Sequence, residues 1–210
     1  MKISDEHYPV NLKNISGAPR QLYVKGALLK KDSKAIAIVG SRRMTDYGKQ
    51  TAWHFSKYLA GKGITIVSGL ARGIDAVAHT AALAAGGRTI AVLGHGLDRI
   101  YPAEHEGLAQ KISQNGALVT EFPHGTLPQG KNFLVRNRII SGLSLGVLIV
   151  EGAQRSGTLS IANWAANQNR EVFAIPGRVD SPMSFLPNYL ISQGAISVQR
   201  PQDILEYLRL

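Results

Sequence analysis

The first candidate for chemistry is the basic turn Gly40–Ser41–Arg42–Arg43, which directly follows the apolar run 35–39. An apolar run of this length that ends in glycine is typical of a buried strand, and an α/β fold presents the residues after such a strand at one edge of its sheet. Arginine guanidinium groups bind phosphate oxygens through paired hydrogen bonds. A glycine turn with merely solvated arginines is the alternative, but the position after the first core strand favours a phosphate site.

The second candidate is the stretch 131–138, in which Lys131, Arg136 and Arg138 surround Phe133. Spaced cations beside an aromatic ring suit single-stranded nucleic acid, because bases stack on the ring while the cations follow the backbone. A plain core role for Phe133 is an equally good interpretation. Arg136 and Arg138 point in different directions on a helix, so we expect at most one of them to face the same ligand as Lys131 and the other to hold loops together.

The rest of the chain alternates short apolar runs with segments of helical period. Six main strands are predicted, at 35–40, 64–68, 89–94, 117–121, 145–150 and 171–175, with a further short strand at 22–26 and a last helix over 202–210. The segments between strands carry apolar residues at helical spacing, as at Ile74, Val77 and Ala78. This alternation predicts an α/β fold, a Rossmann-like doubly wound, mostly parallel sheet with helices on both faces.

The loops after the strands meet at one edge of a parallel sheet, and ligands bind at that edge. Almost every one of these loops brings a cation, and their glycines let backbone N–H groups approach phosphate. The edge is therefore predicted to bind a phosphate backbone. The candidate binding residues are Gly40, Ser41, Arg42, Arg43, Arg72, Lys131, Phe133, Arg136, Arg138 and Arg155.

The composition limits the classes of function. The 210 residues include 24 Lys and Arg against 14 Asp and Glu, a formal net charge of +10, which favours phosphate-rich partners or an anionic surface. Without cysteine there are no disulfides or thiolate ligands, and the six histidines lack metal-binding spacing, so neither a metal nor another cofactor is predicted. No signal peptide or membrane-spanning run is evident, so we expect a soluble, cytoplasmic protein.

Three further motifs have weaker functional interpretations. Asp75 and His79 lie one turn apart on a predicted helix. With no nucleophile or metal evident nearby, a structural role is the better interpretation, with Asp75 at the helix N-terminus and His79 anchoring a neighbouring loop. Glu151 could accept from a ribose or a base edge, but pairing with one of the arginines is preferred. Gly40 and Gly48 do not have the spacing of a Walker A loop.

Ordered motifs along almost the whole chain closely resemble those of the DNA-processing protein A family (DprA, also called Smf) of bacterial natural-transformation proteins. The matching segments are 8–9, 22–26, 39–43, 67–75, 78–79, 101–102, 136–144, 156–159, 176–177 and 190–195. The chain departs from the family pattern at two places. Relatives tend to carry a glycine within the stretch matched by 184–188 and a threonine where Ile161 stands.

The resemblance implies a Rossmann-like core that binds single-stranded DNA in a basic pocket, forms homodimers and helps to load the RecA recombinase onto incoming strands. It implies no catalytic step and no membrane partner. By motif position the pocket residues would come from the turn 40–43 and from Lys131, Phe133, Arg136 and Arg138. We expect residues 1–34 to form an N-terminal extension with a short strand packed on the core 35–210, without the separate helical or winged-helix domain of many relatives.

Other functions stay open from the sequence alone. A distantly similar Rossmann group hydrolyses nucleoside monophosphates at a G-T-x-x-E motif, but here Gly157–Thr158 is followed by Ile161 at the glutamate position, so the carboxylate that assists glycosidic cleavage is missing. A nucleotide-sensing module would hold one small ligand at the Gly40 loop and Glu151, and a structural adaptor would not need the basic edge. The biological setting, natural transformation or another recombination task, is also open.

Overall fold

The computed structural model describes all 210 residues and contains one eight-stranded sheet. The strands are β1 (Tyr23–Gly26), β2 (Ala35–Val39), β3 (Thr65–Ser68), β4 (Thr89–Val92), β5 (Gly116–Thr120), β6 (Gly146–Ile149), β7 (Glu171–Ala174) and β8 (Ile196–Ser197). The helices are α1 (Val10–Lys13), α2 (Asp46–Gly61), α3 (Ile74–Ala84), α4 (Glu106–Asn115), α5 (Gly130–Leu143), α6 (Thr158–Asn167), α7 (Phe185–Ser192) and α8 (Pro201–Leu208). None of these helices combines the length and apolar character needed to cross a bilayer.

The strand order is β1-β5-β4-β3-β2-β6-β7-β8, and every neighbouring pair is parallel except β1 with β5. Central strand β2 pairs Ala37 with Val67 of β3 on one side and with Val147 of β6 on the other. The chain reverses its winding direction between β2 and β6. In sheets of this class, ligands bind where such a reversal separates the carboxyl ends of two strands.

The central strands are apolar throughout because helices cover both faces of the sheet. Every residue of β2 to β6 is buried. Alternate residues of β2 point to opposite sides, so Ala37 packs into the cluster shared with α5 and α6, and Ile36 and Ile38 pack into the cluster shared with α2, α3 and α8. The predicted fold class, a Rossmann-like doubly wound sheet, is confirmed.

The two edge strands, β1 and β8, have features that the apolar pattern did not predict. β1 runs antiparallel to β5, with Tyr23 opposite Thr120, and β8 adds only two residues beside β7. The six main predicted strands agree with β2 to β7 to within two residues at each end. Residues 1–34 also contribute to the larger apolar cluster, through Leu12 and Leu22, while the Tyr8 hydroxyl donates to the Pro19 carbonyl at 2.8 Å.

Candidate nucleic-acid interface

The loop between β2 and α2 is held in place by the end of β6. The Ser41 amide donates to the Glu151 carbonyl at 2.9 Å, and the Arg43 amide donates to the Ser41 hydroxyl at 3.0 Å. The Ser41 amide and the Ser41 hydroxyl oxygen thus shape the turn, while the hydroxyl hydrogen is still available to donate to a ligand. The side chains of Arg42 and Arg43 are exposed, and neither forms an ion pair with a carboxylate.

Glu151 anchors the far end of the same loop. Its buried carboxylate accepts a hydrogen bond from the Thr45 amide at 2.9 Å and another from the Thr45 hydroxyl. The Thr45 hydroxyl in turn accepts from the Gly48 amide at 3.2 Å, which caps α2. The interpretation that Glu151 pairs with an arginine is therefore wrong, because a threonine one residue before the helix lies closer to the carboxylate than any guanidinium.

The loop between β3 and α3 closes against the first loop. The Ile74 amide donates to the Ser41 carbonyl at 3.2 Å. Gly73 has a φ of +75°, and a Cβ there would lie 2.9 Å from the Arg42 Cα. Only glycine satisfies both the left-handed backbone and this close approach, so the glycine fixes the position of Arg42 relative to the next loop.

Arg136 is an internal cation and not an exposed one. It is only 4% exposed, and its guanidinium donates to the carbonyl of Gly69, which directly follows β3, at 2.8 Å, and to the carbonyl of Val92, the last residue of β4. Burial lowers the pKa of Arg136 to about 10, against the opposing influence of Asp75, so the group stays charged at neutral pH. The structure therefore uses Arg136 to join two strand ends beneath the site.

Phe133, one turn earlier on α5, forms the centre of the site. Its half-buried ring has the guanidinium carbon of Arg42 at 5.7 Å from the centroid and that of Arg136 at 5.8 Å. The Tyr101 ring stacks on it at 5.8 Å with an interplanar angle of 30°. A Cβ on Gly94 would lie 2.7 Å from the Phe133 Cδ1, so the ring can occupy this position only because Gly94 has no side chain. Cation–π attraction at such distances contributes about 0.5–1 kcal/mol each at exposed sites.

A shallow pocket opens beside this ring. Its lining includes the three side chains of Arg42, Tyr101 and Phe133, with Arg136 at its base. Arg72 also lines it, but its exposed guanidinium is paired with Glu104, and that hydrogen bond raises the pKa of Arg72. The structure thus brings Arg42, Arg72, Phe133 and Arg136 together, as the pooled sheet edge predicts.

Two of the other predicted cations are exposed and free of carboxylates. Lys131 is the second residue of α5, two residues before Phe133, and Arg155 lies in the loop between β6 and α6. Neither side chain forms an ion pair. Arg155 follows β6 on the same edge as the Arg42 loop but does not line the Phe133 pocket.

Arg138 lies apart from the pocket. Its guanidinium pairs with Glu121 and donates to the Gly17 carbonyl at 3.1 Å, so it holds the N-terminal segment and the end of β5 to α5. We expected one of Arg136 and Arg138 to hold loops together, and both make internal contacts of this kind. Their direct contact with a nucleic acid stays a prediction that the geometry does not favour.

Asp75 and His79 have structural partners. Asp75 accepts from the Gly69 amide at 3.0 Å, and His79 Nδ1 lies 2.7 Å from the hydroxyl of Thr89. Since that hydroxyl donates to the Ile66 carbonyl, His79 Nδ1 carries the proton and donates. Burial raises the pKa of Asp75 and lowers the pKa of His79 to about 3, so the imidazole is neutral. The preferred structural interpretation is confirmed, although His79 holds a strand and not a loop.

Sequence reasoning missed Tyr101 as a site residue. It is 44% exposed and presents its ring beside Phe133, yet it lies 32 residues earlier in the chain, in the long connection between β4 and α4. The only signal for it was the Tyr101–Pro102 pair within the family resemblance. A contact between two aromatic rings on different connections leaves no periodic mark in a sequence.

The chain matches known proteins along nearly its whole length. The family described as DNA recombination-mediator protein A matches residues 1–209. Protein Smf of Escherichia coli (strain K12) is 51% identical over 205 residues, which cover 97% of this chain and 55% of the relative. The DNA processing protein DprA of Bacillus subtilis (strain 168) is 47% identical over 208 residues, covering 98% of this chain and 70% of the relative. The chain thus spans little more than half the length of the E. coli relative.

Solved structures give the same picture. DNA processing protein A from Streptococcus pneumoniae is similar with a TM-score of 0.93 and 40% identity, over 98% of this chain and 72% of that one. DNA processing protein A from Helicobacter pylori, described as having a unique single-stranded DNA binding mode, has a TM-score of 0.87 and 31% identity, over 99% and 98%. The molybdenum cofactor binding protein of Rippkaea orientalis, at a TM-score of 0.61 and 18% identity over 83% and 94%, shares the fold alone.

Proposed function

Because the chain belongs to the DNA recombination-mediator protein A family, we propose that it binds single-stranded DNA at the sheet edge around Phe133. Bases stack in the pocket beside Phe133 and Tyr101, and the phosphate backbone follows Arg42, Arg43 and Lys131. The H. pylori relative, at 31% identity, is described as a single-stranded DNA binder, which supports the same ligand class here.

One observation carries this proposal: an exposed guanidinium and two stacked aromatic rings share one pocket that holds no carboxylate. Arg42 lies 5.7 Å from the Phe133 centroid, and Tyr101 stacks on the same ring. Aromatic faces accept unpaired bases of any sequence, with about 1–3 kcal/mol per stacked base, while cations release counterions from the phosphates. A paired base offers no free face to such a platform, so single strands are preferred to duplex.

The proposal contains no catalytic step. Three carboxylates lie around the pocket: Asp75 and Glu151 are buried and already accept hydrogen bonds from the Gly69 amide and from Thr45, and the exposed Glu104 is paired with Arg72. A general acid or base must reach a proton on the substrate, and none of these three carboxylates lines the pocket. Binding and positioning of the strand are therefore the work assigned to this site.

We further propose that the chain acts as a homodimer that helps to load RecA recombinase onto the bound strand during natural transformation. The recombination-mediator description of the family and the likeness to DprA of B. subtilis and S. pneumoniae support this role. The test measures RecA-catalysed strand exchange on strands coated with single-strand-binding protein, together with sedimentation of the chain. Acceleration of exchange by a dimeric protein is expected, and an unchanged rate would contradict the loading role.

Binding itself is tested by fluorescence anisotropy with labelled oligo-dT and a mixed-sequence duplex of equal length. Arg42→Ala and Lys131→Ala remove exposed, unpaired cations of the site, and Lys111→Ala removes an exposed cation from α4 as a matched control. Thermal unfolding of each variant checks the fold. We expect tighter binding of the single strand, weaker binding by both site variants and no change in the control.

Two results would overturn the proposal. If wild type binds neither nucleic acid while a nucleoside phosphate protects it from thermal unfolding, the site holds a single nucleotide. If the strand binds but Arg42→Ala and Lys131→Ala behave like Lys111→Ala, the strand lies elsewhere on the chain.

A further inference from the structure

The outward face of α2 carries an aromatic residue between two cations. Lys49, Trp53 and Lys57 follow one another at intervals of four residues, which places them on one side of the helix. All three are exposed, and Trp53 keeps 39% of its surface accessible. We call these three residues the α2 stripe. At 1.5 Å per residue, it extends about 12 Å along the helix axis.

The stripe is not needed to hold the helix on the protein. The opposite side of α2 buries Ala52, Phe55 and Leu59 in the apolar cluster that it shares with α3 and α8. None of the three stripe residues makes an ion pair or a side-chain hydrogen bond within the chain. Packing therefore accounts for one face of the helix and leaves the stripe without a structural partner.

The charges around the stripe favour an anion. The only carboxylate of α2 is Asp46, in the first turn, where it complements the helix dipole. Of the two helices that pack against α2, α3 carries a single carboxylate, the buried Asp75, and α8 carries Asp203, which is paired with Arg200, and the exposed Glu206. Exposed lysines alone are typical of a solvated helix face, but an indole exposed between two of them adds a flat surface on which a base can stack.

The stripe also continues from the Phe133 site. In a parallel sheet the helix after a strand begins at the ligand-binding edge, and α2 begins three residues after Arg43. The outward face of α2 thus leads away from the exposed Arg42 and Arg43 without an intervening element in the chain.

We propose that the α2 stripe binds a second segment of the single strand, with a base stacked on Trp53 and phosphates on Lys49 and Lys57. This inference rests on the proposed function, because it assigns the path of a strand already held at Phe133. Stacking on an indole needs an unpaired base, so the ligand of the stripe is a single strand and not duplex DNA. A strand too short to extend beyond the Phe133 pocket does not reach it.

The test compares oligo-dT of about six and about twenty nucleotides, which spans the usual range of single-strand site sizes. Trp53→Ala removes the stacking surface, and Lys49→Ala with Lys57→Ala removes both charges. A control double variant, Lys13→Ala with Lys111→Ala, changes the net charge equally at exposed, unpaired lysines on α1 and α4. Thermal unfolding verifies that each variant is folded.

We expect Trp53→Ala to weaken binding of the long strand at least about fivefold, the lower end of the effect of one stacked base, and to leave the short strand unaffected. The double lysine variant should lower the salt slope for the long strand by about 1.4, or roughly 0.7 per phosphate contact, and the control should not. If the stripe variants bind the long strand as the control does, the stripe inference is overturned while the Phe133 site stands.

Intrinsic fluorescence gives an independent readout because the chain has only two tryptophans. Trp164→Phe leaves Trp53 as the single reporter. The long strand should quench this emission at saturation, and the short strand should not. If wild type binds neither strand, the proposed function itself fails. If the long strand binds but the emission of Trp53 does not change, only the stripe inference fails.

Discussion

Replacing Arg136 by methionine tests whether this buried arginine stabilises the fold beneath the site or binds a DNA phosphate. The substitution keeps an unbranched side chain of similar length but removes the buried guanidinium that donates to the Gly69 and Val92 carbonyls. It also removes the cation whose field lowers the pKa of Asp75, which burial alone raises. We expect the substitution to cause a large loss of stability and no loss of a phosphate contact.

The magnitude follows from the groups left without partners. Each buried carbonyl that loses its donor costs about 1–3 kcal/mol, and the buried Asp75 carboxyl also loses the nearby cation that favours its charged form. Asp75 keeps its hydrogen bond from the Gly69 amide and can take up a proton, so we expect a loss of about 3 kcal/mol in the free energy of unfolding. For a chain of this size that corresponds to roughly 6–12 °C in Tm.

Urea unfolding of wild type, Arg136→Met, Asp75→Asn and the double variant measures this coupling. The double variant should lose less than the sum of the single variants, because asparagine removes the carboxylate that methionine leaves uncompensated. In oligo-dT binding the salt slope of Arg136→Met should equal that of wild type. Stability within about 0.5 kcal/mol of wild type, together with a slope reduced by about 0.7, would refute the reasoning and make Arg136 a phosphate ligand.

Three further outcomes are expected. The pKa of His79 falls from 6.5 in the unfolded chain to about 3 on folding, so the unfolded state binds more protons between these two pH values. The free energy of unfolding should therefore drop by about 1.4 kcal/mol for each pH unit below pH 6.5. Urea unfolding of wild type and of His79→Leu as a function of pH measures this dependence, and the same pH dependence in both proteins would contradict it. Phe133→Ala should weaken oligo-dT binding by about 5- to 160-fold in anisotropy, whereas Phe133→Tyr keeps the stacking face and should stay near wild type. Gly94→Ala places a Cβ 2.7 Å from the Phe133 Cδ1 and should weaken the same binding by displacing the ring; affinity equal to wild type would show that the seat of the ring is not critical.

The sequence predicted the central sheet well because a strand that is buried on both faces is apolar at every position, and such a run is recognisable from neighbouring residues alone. Strands covered on both sides read as unbroken apolar runs, and β2 to β6 are buried at every residue. The antiparallel pairing of Tyr23 with Thr120 joins segments almost a hundred residues apart, and no run of side chains specifies that partner or its direction. β8 is too short to show any period.

The sequence indicated which residues lie near one another at the sheet edge more reliably than it indicated which of them are exposed. Pooling the loops at the carboxyl ends of the strands placed Arg42 at the same edge as Lys131, where the stretch 131–138 begins, and the structure has Arg42 in contact with Phe133 of that stretch. The same reasoning could not tell the exposed Arg42 from the buried Arg136, because the carbonyls that bind Arg136 come from distant parts of the chain. Tyr101 reaches the site through a fold-level contact between two connections, which a single sequence does not encode locally.

The most direct test of the central claim is the salt dependence of oligo-dT affinity for wild type and for a variant that lacks the four exposed, unpaired cations of the edge. These cations are Arg42, Arg43, Lys131 and Arg155, each replaced by alanine. If all four neutralise phosphates, the slope of log K against log salt should become shallower by about 2–3, at roughly 0.7 per contact on a single strand. A folded variant whose slope equals that of wild type would contradict the assignment of this edge as the DNA-binding site.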